Sequence, residues 1–362
     1  MIPAGQNLTR ETLIVEKATE LHRKIAPELV AAIEERYTIL RHIRYAQPIG
    51  RRALATMLDA SERTVRTHID FLKTAGLIEF SPLGMAITDE GVALLDDLGC
   101  YVRVLSGLSE LEQELADGLG LRQVIVIRGD SDVDIAVKRE LGRAAAGLLG
   151  QFLGNNMIIA VSGGSMMAQV AESVGINMPT TTVVPARGGL GERVEYQANT
   201  IAAVMATKLG GKYRMLHIPD GVGEEALEVI LARDANIRVV AQMIKQADIL
   251  ITGIGEAAAM AFRRGVDEPT IKQIEDLGAV GETLGQYCTL QGEVVYTTSS
   301  VGLHLNDLTG IGKVIAVAGG RRKAAAIVAV IAAGGQDILV TDEAAARAIQ
   351  AIIKNKHIQE EL

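Results

Sequence analysis

The chain has 362 residues, is 48% hydrophobic and 22% charged, and carries a net charge of −8. That composition excludes a disordered or low-complexity chain, and the length exceeds what one ordinary compact core holds, so two domains are expected. The longest apolar run, Ala324–Gly335, is well short of the roughly 20 residues that a membrane-spanning helix needs.

The first residues lack the basic-then-apolar layout of a signal peptide, so a cytoplasmic protein is expected. Trp is absent and other aromatics are scarce, which leaves an aliphatic core of Ala, Val, Ile and Leu. Cys100 and Cys288 are far apart and read as free thiols in a reducing compartment. The histidines form no metal-ligand spacing with cysteine or carboxylate, so neither a metal site nor a cofactor is expected.

Residues 1–26 are expected to form an N-terminal extension, and the first helix follows them. Leu29, Ile33, Tyr37, Leu40 and Ile43 recur at three- and four-residue steps, and Pro48 and Gly50 end the pattern. A short helix follows, opened by Arg51 and Arg52, and then a polar turn, Asp59-Ala60-Ser61. Ser61 is a good N-cap for the next helix, which places Val65, Ile69 and Leu72 on its apolar face. Arg63, Thr64, Arg66, Thr67 and His68 fall elsewhere on it, mostly near its start. Two short helices joined by a tight turn form a helix-turn-helix, whose second helix presents its first residues to base edges. LIEF, a Pro82–Gly84 turn and MAIT then read as the two strands of a wing, beside the phosphate backbone.

Charge supports this reading. Between Arg36 and Phe80 there are eight basic residues and four acidic ones, a net +4 that leaves −12 for the rest of the chain. A basic module on an acidic body points to a polyanion partner for that module alone.

Past this module, Leu105, Leu108, Leu111, Leu115 and Leu119 form an apolar stripe, expected to be a linker or dimer-forming helix over 99–118, though such stripes are more often core. The boundary falls between about Leu108 and Arg122. From there VIVI, MIIAV, TTVVP, YRMLHIP, ADILITG, KVIAVAG and DILVT alternate with helical stretches. Apolar strands alternating with helices predict an α/β, doubly wound domain over 119–362 with a parallel sheet covered on both faces. Ligands bind such sheets beyond the carboxyl ends of the strands.

Four glycine loops follow four of these strands: SGGS at Ser162–Ser165, PARGGLGE at Pro185–Glu192, TGIGEA at Thr252–Ala257 and AVAGGRRKA at Ala316–Ala324. Gly163 and Gly164 permit close backbone approach to an anion at a helix start, and Ser162 and Ser165 add hydroxyl donors. Arg187, Arg321, Arg322 and Lys323 bring cations to these loops. SGGS is neither a Walker A loop nor a dinucleotide fingerprint. The coherent ligand is a small polyanion, most simply a sugar phosphate.

PIGRRALA, SERTVRTHIDFLKTAGLI, GMAITDEG, VSGGS, PARGGLGE and VIAVAGGRRKAAAI together resemble the SorC group of bacterial transcription regulators, from about Ala18 onward. The resemblance implies a winged-helix DNA-binding domain, here 27–98, and an effector domain similar in fold to phosphosugar isomerases. Within the group it points to repression of a glycolytic operon, relieved by fructose 1,6-bisphosphate. It implies that Gly163, Gly164 and Ser165 cradle a phosphate, and that Arg187, Gln197, Arg263 or Arg264, Glu282 and Lys323 complete the effector site. Met166 stands in the same loop where the family often has Thr or Ser, which removes one hydroxyl contact. The implied partners are operator DNA and a sugar phosphate, bound by a homodimer or homotetramer with no catalytic residue.

A different class of reading is an enzyme of the phosphosugar isomerase or deaminase type, with Asp248, Glu282 and Asp307 as proton carriers. It leaves the DNA-binding module unexplained, and Glu282 serves better as an acceptor from sugar hydroxyls. A regulator that responds to another sugar phosphate is the remaining alternative.

Overall fold

A computed structural model describes residues 17–18, 21–189, 193–219 and 221–360. Most of the expected extension 1–26 therefore lies outside the described residues, as do positions 190–192 of PARGGLGE. The chain divides into two compact units, one ending at Glu110 and one beginning at Leu111.

The first unit is helical with a hairpin. Helices α1 (Pro27–Ala46), α2 (Arg51–Met57) and α3 (Glu62–Thr74) precede strands β1 (Ile78–Ser81) and β2 (Gly84–Ile87), and α4 (Asp89–Leu105) follows. Pro27 suits the first helical position, where its missing N–H costs nothing. Ser61 caps α3 by accepting from Thr64 N, and Thr88 caps α4 by accepting from Gly91 N. The antiparallel hairpin pairs Ile78 with Ile87, and Ile49 bridges to Met85 as a further rung. Tyr37, Leu40, Ile43, Leu54, Val65, Ile69, Leu72, Met85 and Leu95 share one core. Leu29 departs from the expected stripe: it is 49% exposed, and Val30 is the buried residue in that first turn.

In the second unit, α5 (Leu108–Leu119, begun just before the boundary), β3 (Gln123–Ile127), α6 (Ile135–Phe152), β4 (Ile158–Val161), α7 (Ser165–Ser173), β5 (Thr182–Pro185), α8 (Ala198–Leu209) and β6 (Lys212–Tyr213) come first. Then come α9 (Glu224–Arg233), α10 (Ala235–Lys245), β7 (Ile249–Gly253), β8 (Gly255–Glu256), α11 (Ala257–Arg263), α12 (Glu268–Asp276), β9 (Ala279–Thr283), β10 (Gln286–Thr289) and β11 (Val294–Thr297). Strand β12 (Lys313–Val317), α13 (Ala324–Ala332), β13 (Ile338–Asp342) and α14 (Glu343–Glu360) close the chain. Leu105, Leu108, Leu111 and Leu115 of the apolar stripe are buried.

The seven strands expected from the apolar runs form one parallel sheet, in the order β3-β13-β12-β7-β4-β5-β6. Alternate residues serve opposite faces, as the two-residue period of a strand requires. Ile159 and Val161 of β4 enter a core with α6, α7 and α8, whereas Ala160 enters a second core with α10 and α13. Two features depart from the sequence reading. Of YRMLHIP only Tyr213, preceded by Lys212, is strand: Leu216 exchanges both backbone bonds with the Asn199 side chain, which replaces the ladder at this sheet edge. A four-stranded antiparallel sheet, β11-β10-β9-β8, was not expected. Its β9–β10 turn is made by Leu284 and Gly285, both at positive φ.

Among the described residues, no helix is long and apolar enough to cross a membrane, and no group of His, Cys, Asp or Glu could hold a metal ion.

Candidate anion pocket and nucleic-acid interface

Because β4, β5, β7 and β12 run parallel, the loops leaving them meet at one sheet edge. There they enclose a cavity of about 400 Å³, lined by Ser162–Met166, Arg187, Gly188, Thr252–Glu256, Gly319, Arg322 and Lys323. All four glycine loops predicted from sequence contribute to it. Gln197, Arg263, Arg264 and Glu282 line it as well, so the structure gathers every proposed effector residue in one cavity.

Gly164 is the N-cap of α7 at φ 113°, a conformation that a side chain disfavours, and a Cβ there would meet only open space. Its N–H donates to Tyr196 O at 2.8 Å, which ties the loop to the turn before α8. Ser165 begins the helix, where unpaired N–H groups favour an anion. Ser162 Oγ accepts from Gly253 N at 3.1 Å, so one serine of SGGS ties two of the loops together.

Cations gather around this helix start. Lys138, in the first turns of α6, places Nζ 2.8 Å from Ser165 Oγ. Sequence reasoning missed it, although a helix start after a parallel strand must lie at the same sheet edge. Burial, and then Arg263, push the Lys138 ammonium below the ordinary lysine value. Burial and then Lys138 do the same to Lys323, with Arg263 adding to the effect and Asp132 and Glu256 opposing it. Arg322 differs, because Asp132 accepts from both its guanidinium and its main chain at 3.2 Å. Burial disfavours the Asp132 charge, but these bonds outweigh it and hold the carboxyl below its usual value. Buried Asp342 fixes the frame, accepting from Ser131 N, Ser131 Oγ, Gly320 N and Ala345 N.

Arg187 enters from another loop. It is buried, bridges through its main chain to Gly302 and donates to Thr298 O at 3.3 Å. Its guanidinium lies on Gly285, where any side chain would overlap it. Next to it, Arg264 pairs with Glu282, and Gly285 N also donates to the same carboxylate oxygen, Oε1. Burial and the Glu282 charge push the Tyr287 hydroxyl up to about 12, so it stays protonated. Gln197 stands at the N-cap position of α8 without a side-chain capping bond, with Oε1 near Gly189. Asp248 and Asp307 lie away from the cavity: Asp248 accepts from Ile158 N, and Asp307 pairs with Lys245 and caps the turn at His304. Of the three carboxylates considered as proton carriers, only Glu282 therefore lines the cavity.

In the first unit, Arg51, Arg52, Ser61, Arg63, Thr64, Arg66 and Thr67 are exposed on α2 and the start of α3. The hydroxyls of Ser61 and Thr64 bond to each other at 2.8 Å. Arg66 has only a loose surface pair with Asp70 at 3.7 Å, and Arg52 one with Glu62 at 3.4 Å. His68 is turned away: its side chain is 12% exposed and Nε2 lies 2.7 Å from Glu35 on α1. The basic count overstates the available charge, since Arg41 is buried and Arg44 pairs with Asp96. Two of the basic side chains stack on aromatic rings, Arg36 over Phe71 and Lys73 over Phe80.

A winged helix-turn-helix with an exposed basic helix start, in one chain with an α/β domain that holds a cationic cavity, defines a ligand-binding transcription regulator. Residues 32–102 match the family described as "CggR N-terminal DNA binding domain", and residues 104–351 the family described as "Putative sugar-binding domain". The chain is 43% identical over 333 residues to the central glycolytic genes regulator of Priestia megaterium, covering 91% of this chain and 97% of that one. To the regulator of the same name in Bacillus subtilis it is 40% identical, with the same coverage. A crystal structure described as a putative SorC family transcriptional regulator from Enterococcus faecalis superposes with a TM-score of 0.63 at 38% identity, over 67% of this chain and 99% of that one. The full-length sorbitol operon regulator of Klebsiella pneumoniae shares the fold, with a TM-score of 0.61 at 18% identity over 88% of this chain and 98% of that one. The chain belongs to the SorC family of transcriptional regulators, with a DNA-binding and a sugar-binding domain.

Proposed function

We propose that the protein is a cytoplasmic repressor of a central glycolytic operon, released from its operator by fructose 1,6-bisphosphate. The observation that carries this reading is the two-sided supply of charge to one cavity. Lys138 meets Ser165 at the start of α7 and feels the charges of Lys323 and Arg263 in the same lining, and Arg187 enters from a separate loop beside the Arg264–Glu282 pair. Cations supplied by separate loops to one cavity suit a sugar with a phosphate at each end, since guanidinium and ammonium groups bind phosphate oxygens through charged hydrogen bonds. The relatives' names supply the operon class. Residues 27–98 are assigned to operator binding, 99–118 to a linker and 119–362 to the effector. A homodimer or homotetramer is proposed because helix-turn-helix proteins read paired half-sites.

Calorimetric titration of fructose 1,6-bisphosphate, fructose 6-phosphate and unphosphorylated fructose, followed by operator shift assays with each, tests the proposal. The bisphosphate should bind most tightly and be the sugar that releases DNA. Tighter binding of a monophosphate, or binding with no effect on DNA, would overturn it.

A further inference from the structure

We infer that Lys138 is an effector-site residue, which orients the Ser165 hydroxyl as a donor into the cavity and, with Lys323, selects a phosphate dianion over a neutral sugar hydroxyl. The inference rests on the sugar-phosphate reading of the pocket and extends it to a residue on α6, outside the four glycine loops.

The argument begins with hydrogens. An ammonium group has three donors and no acceptor, so at 2.8 Å Ser165 Oγ must accept from Lys138 Nζ. The serine hydrogen then points elsewhere, and Ser165 lines the cavity. The Ser165 oxygen keeps a second lone pair, but the contact along its O–H is fixed as a donation, which suits a phosphate oxygen. A ligand hydroxyl could take that contact only by acting as acceptor, a weaker exchange than with a charged oxygen.

Charge gives the second step. Among the described residues, Ser165 Oγ is the one hydrogen-bonding partner of Lys138, and neither Lys138 nor Lys323 has a carboxylate at ion-pair distance. Arg322, on the same loop as Lys323, has Asp132. Holding partly buried ammonium groups near each other and near Arg263, with Asp132 and Glu256 acting on Lys323 only from beyond ion-pair distance, is unfavourable in the empty protein. A dianion at the α7 start would supply the counter-ion. The charge available for a phosphate is therefore that of the two lysines rather than of Arg322, whose charge Asp132 already offsets.

The test compares Lys138→Gln, Lys138→Arg, Ser165→Ala and the Lys138→Gln/Ser165→Ala double variant, titrated with fructose 1,6-bisphosphate while unliganded melting temperatures are recorded. Loss of one charged contact should weaken Lys138→Gln on the order of tenfold to a hundredfold. Lys138→Arg should recover most of that loss because it restores the charge. Ser165→Ala should weaken wild type but add little in the Lys138→Gln background, since the lysine no longer orients the hydroxyl. The unliganded Lys138→Gln protein should melt no lower than wild type, because an unpaired cation has been removed, whereas a merely structural lysine would give a lower melting temperature. Equal affinity of Lys138→Gln and wild type overturns the inference and leaves the effector reading intact. A wild type that fails to bind the bisphosphate overturns the effector reading itself. Additive losses in the double variant overturn the orienting role.

Discussion

Arg264 donates from Nη2 to Glu282 Oε1 at 2.7 Å, with 4% and 3% of the two side chains exposed. Among the described residues, both of the carboxylate's bonds, from Arg264 and from Gly285 N, fall on Oε1, which holds the β9–β10 turn and leaves Oε2 without a hydrogen bond. Removing one partner of a buried pair strands the other charge. Glu282→Ala should therefore destabilise the effector domain by about 3–5 kcal/mol, well beyond a surface carboxylate. Replacing the pair together with Arg264→Met/Glu282→Leu should recover much of that loss without restoring effector affinity. Urea denaturation of the single and double variants checks the first outcome and calorimetry the second.

The recognition helix gives a separate expectation. Arg63 and Arg66 are exposed near the start of α3, and the weak Arg66–Asp70 pair offers little competition to DNA. Arg66→Ala should weaken operator binding by about 1–3 kcal/mol if it reads a base, or lower the salt slope by about one if it meets a phosphate. His68→Ala should act differently, through lost contact with Glu35, and appear as reduced stability with little change in salt slope. Operator titrations at several salt concentrations, alongside melting curves, separate the two.

These contrasts show what the sequence makes legible. Six of the seven strands of the parallel sheet are apolar runs too short and too β-branched for helices, so they follow from pattern alone, whereas the seventh is the exposed pair Lys212–Tyr213 at the start of a run that is otherwise not strand. The glycine loops follow as a consequence, because parallel strands send their exits to one edge. The β8–β11 sheet was not legible: AVGETLGQYCT buries Glu282, Thr283 and Gln286, which bond to Arg264, Gly253 O and Leu305 N, so it shows neither a clean alternation nor a continuous apolar run. Lys138 was hidden for a different reason. It sits in AVKRE, a sequence like any solvated helix start, and only the third dimension puts it on Ser165. His68 was misplaced because a helical wheel assigns it a side but does not say that α1 brings Glu35 to meet it.

The SGGS turn is tested by backbone strain. Gly164→Val puts a branched side chain at φ 113° and projects it into open cavity. The strain should cost about 1–3 kcal/mol of stability, and the new methyl groups should occupy the place of the phosphate. Operator binding should persist while release by fructose 1,6-bisphosphate is lost. Gly164→Ala is the graded control: it retains the strain but adds less bulk. A folded Gly164→Val protein with normal bisphosphate affinity would reduce SGGS to a packing turn.

Two lysines with depressed values make the pocket sensitive to alkali. Lys138 and Lys323 both lie below the 10.5 of a free lysine, chiefly through burial. In the window between the depressed values and 10.5 the unfolded chain binds more protons than the folded one, so stability of the empty protein should rise with pH there. Affinity for a dianion should fall across the same window, because the charged lysines are what it binds. On the acid side affinity should fall as the phosphate takes a proton, near about pH 6. Bisphosphate titrations from acid to alkaline pH should give this bell shape, and Lys323→Gln should flatten its alkaline limb.

The final expectation joins the two domains. Lys323 feels the charge of Lys138, which meets Ser165 at the α7 start, whereas the Arg187 guanidinium lies on Gly285 beside Glu282, so they should serve different phosphates. Lys323→Ala should weaken fructose 1,6-bisphosphate on the order of tenfold to a hundredfold. It should weaken fructose 6-phosphate much less if that sugar leaves the lysine end empty. Equal losses for both sugars would place both cations on one phosphate. The operator adds a second axis, because binding free energies are reciprocal: an effector that lowers operator affinity by some factor must itself bind the operator complex more weakly by the same factor. Operator DNA should therefore weaken bisphosphate binding to wild type, and that factor should match the one by which bisphosphate weakens the operator. In Lys323→Ala the bisphosphate needed for release should rise by the loss in affinity, while release at saturation stays complete if the lysine contributes equally to both states. Incomplete release at saturation would mean that Lys323 distinguishes the DNA-bound from the free form, and so takes part in the switch as well as in binding.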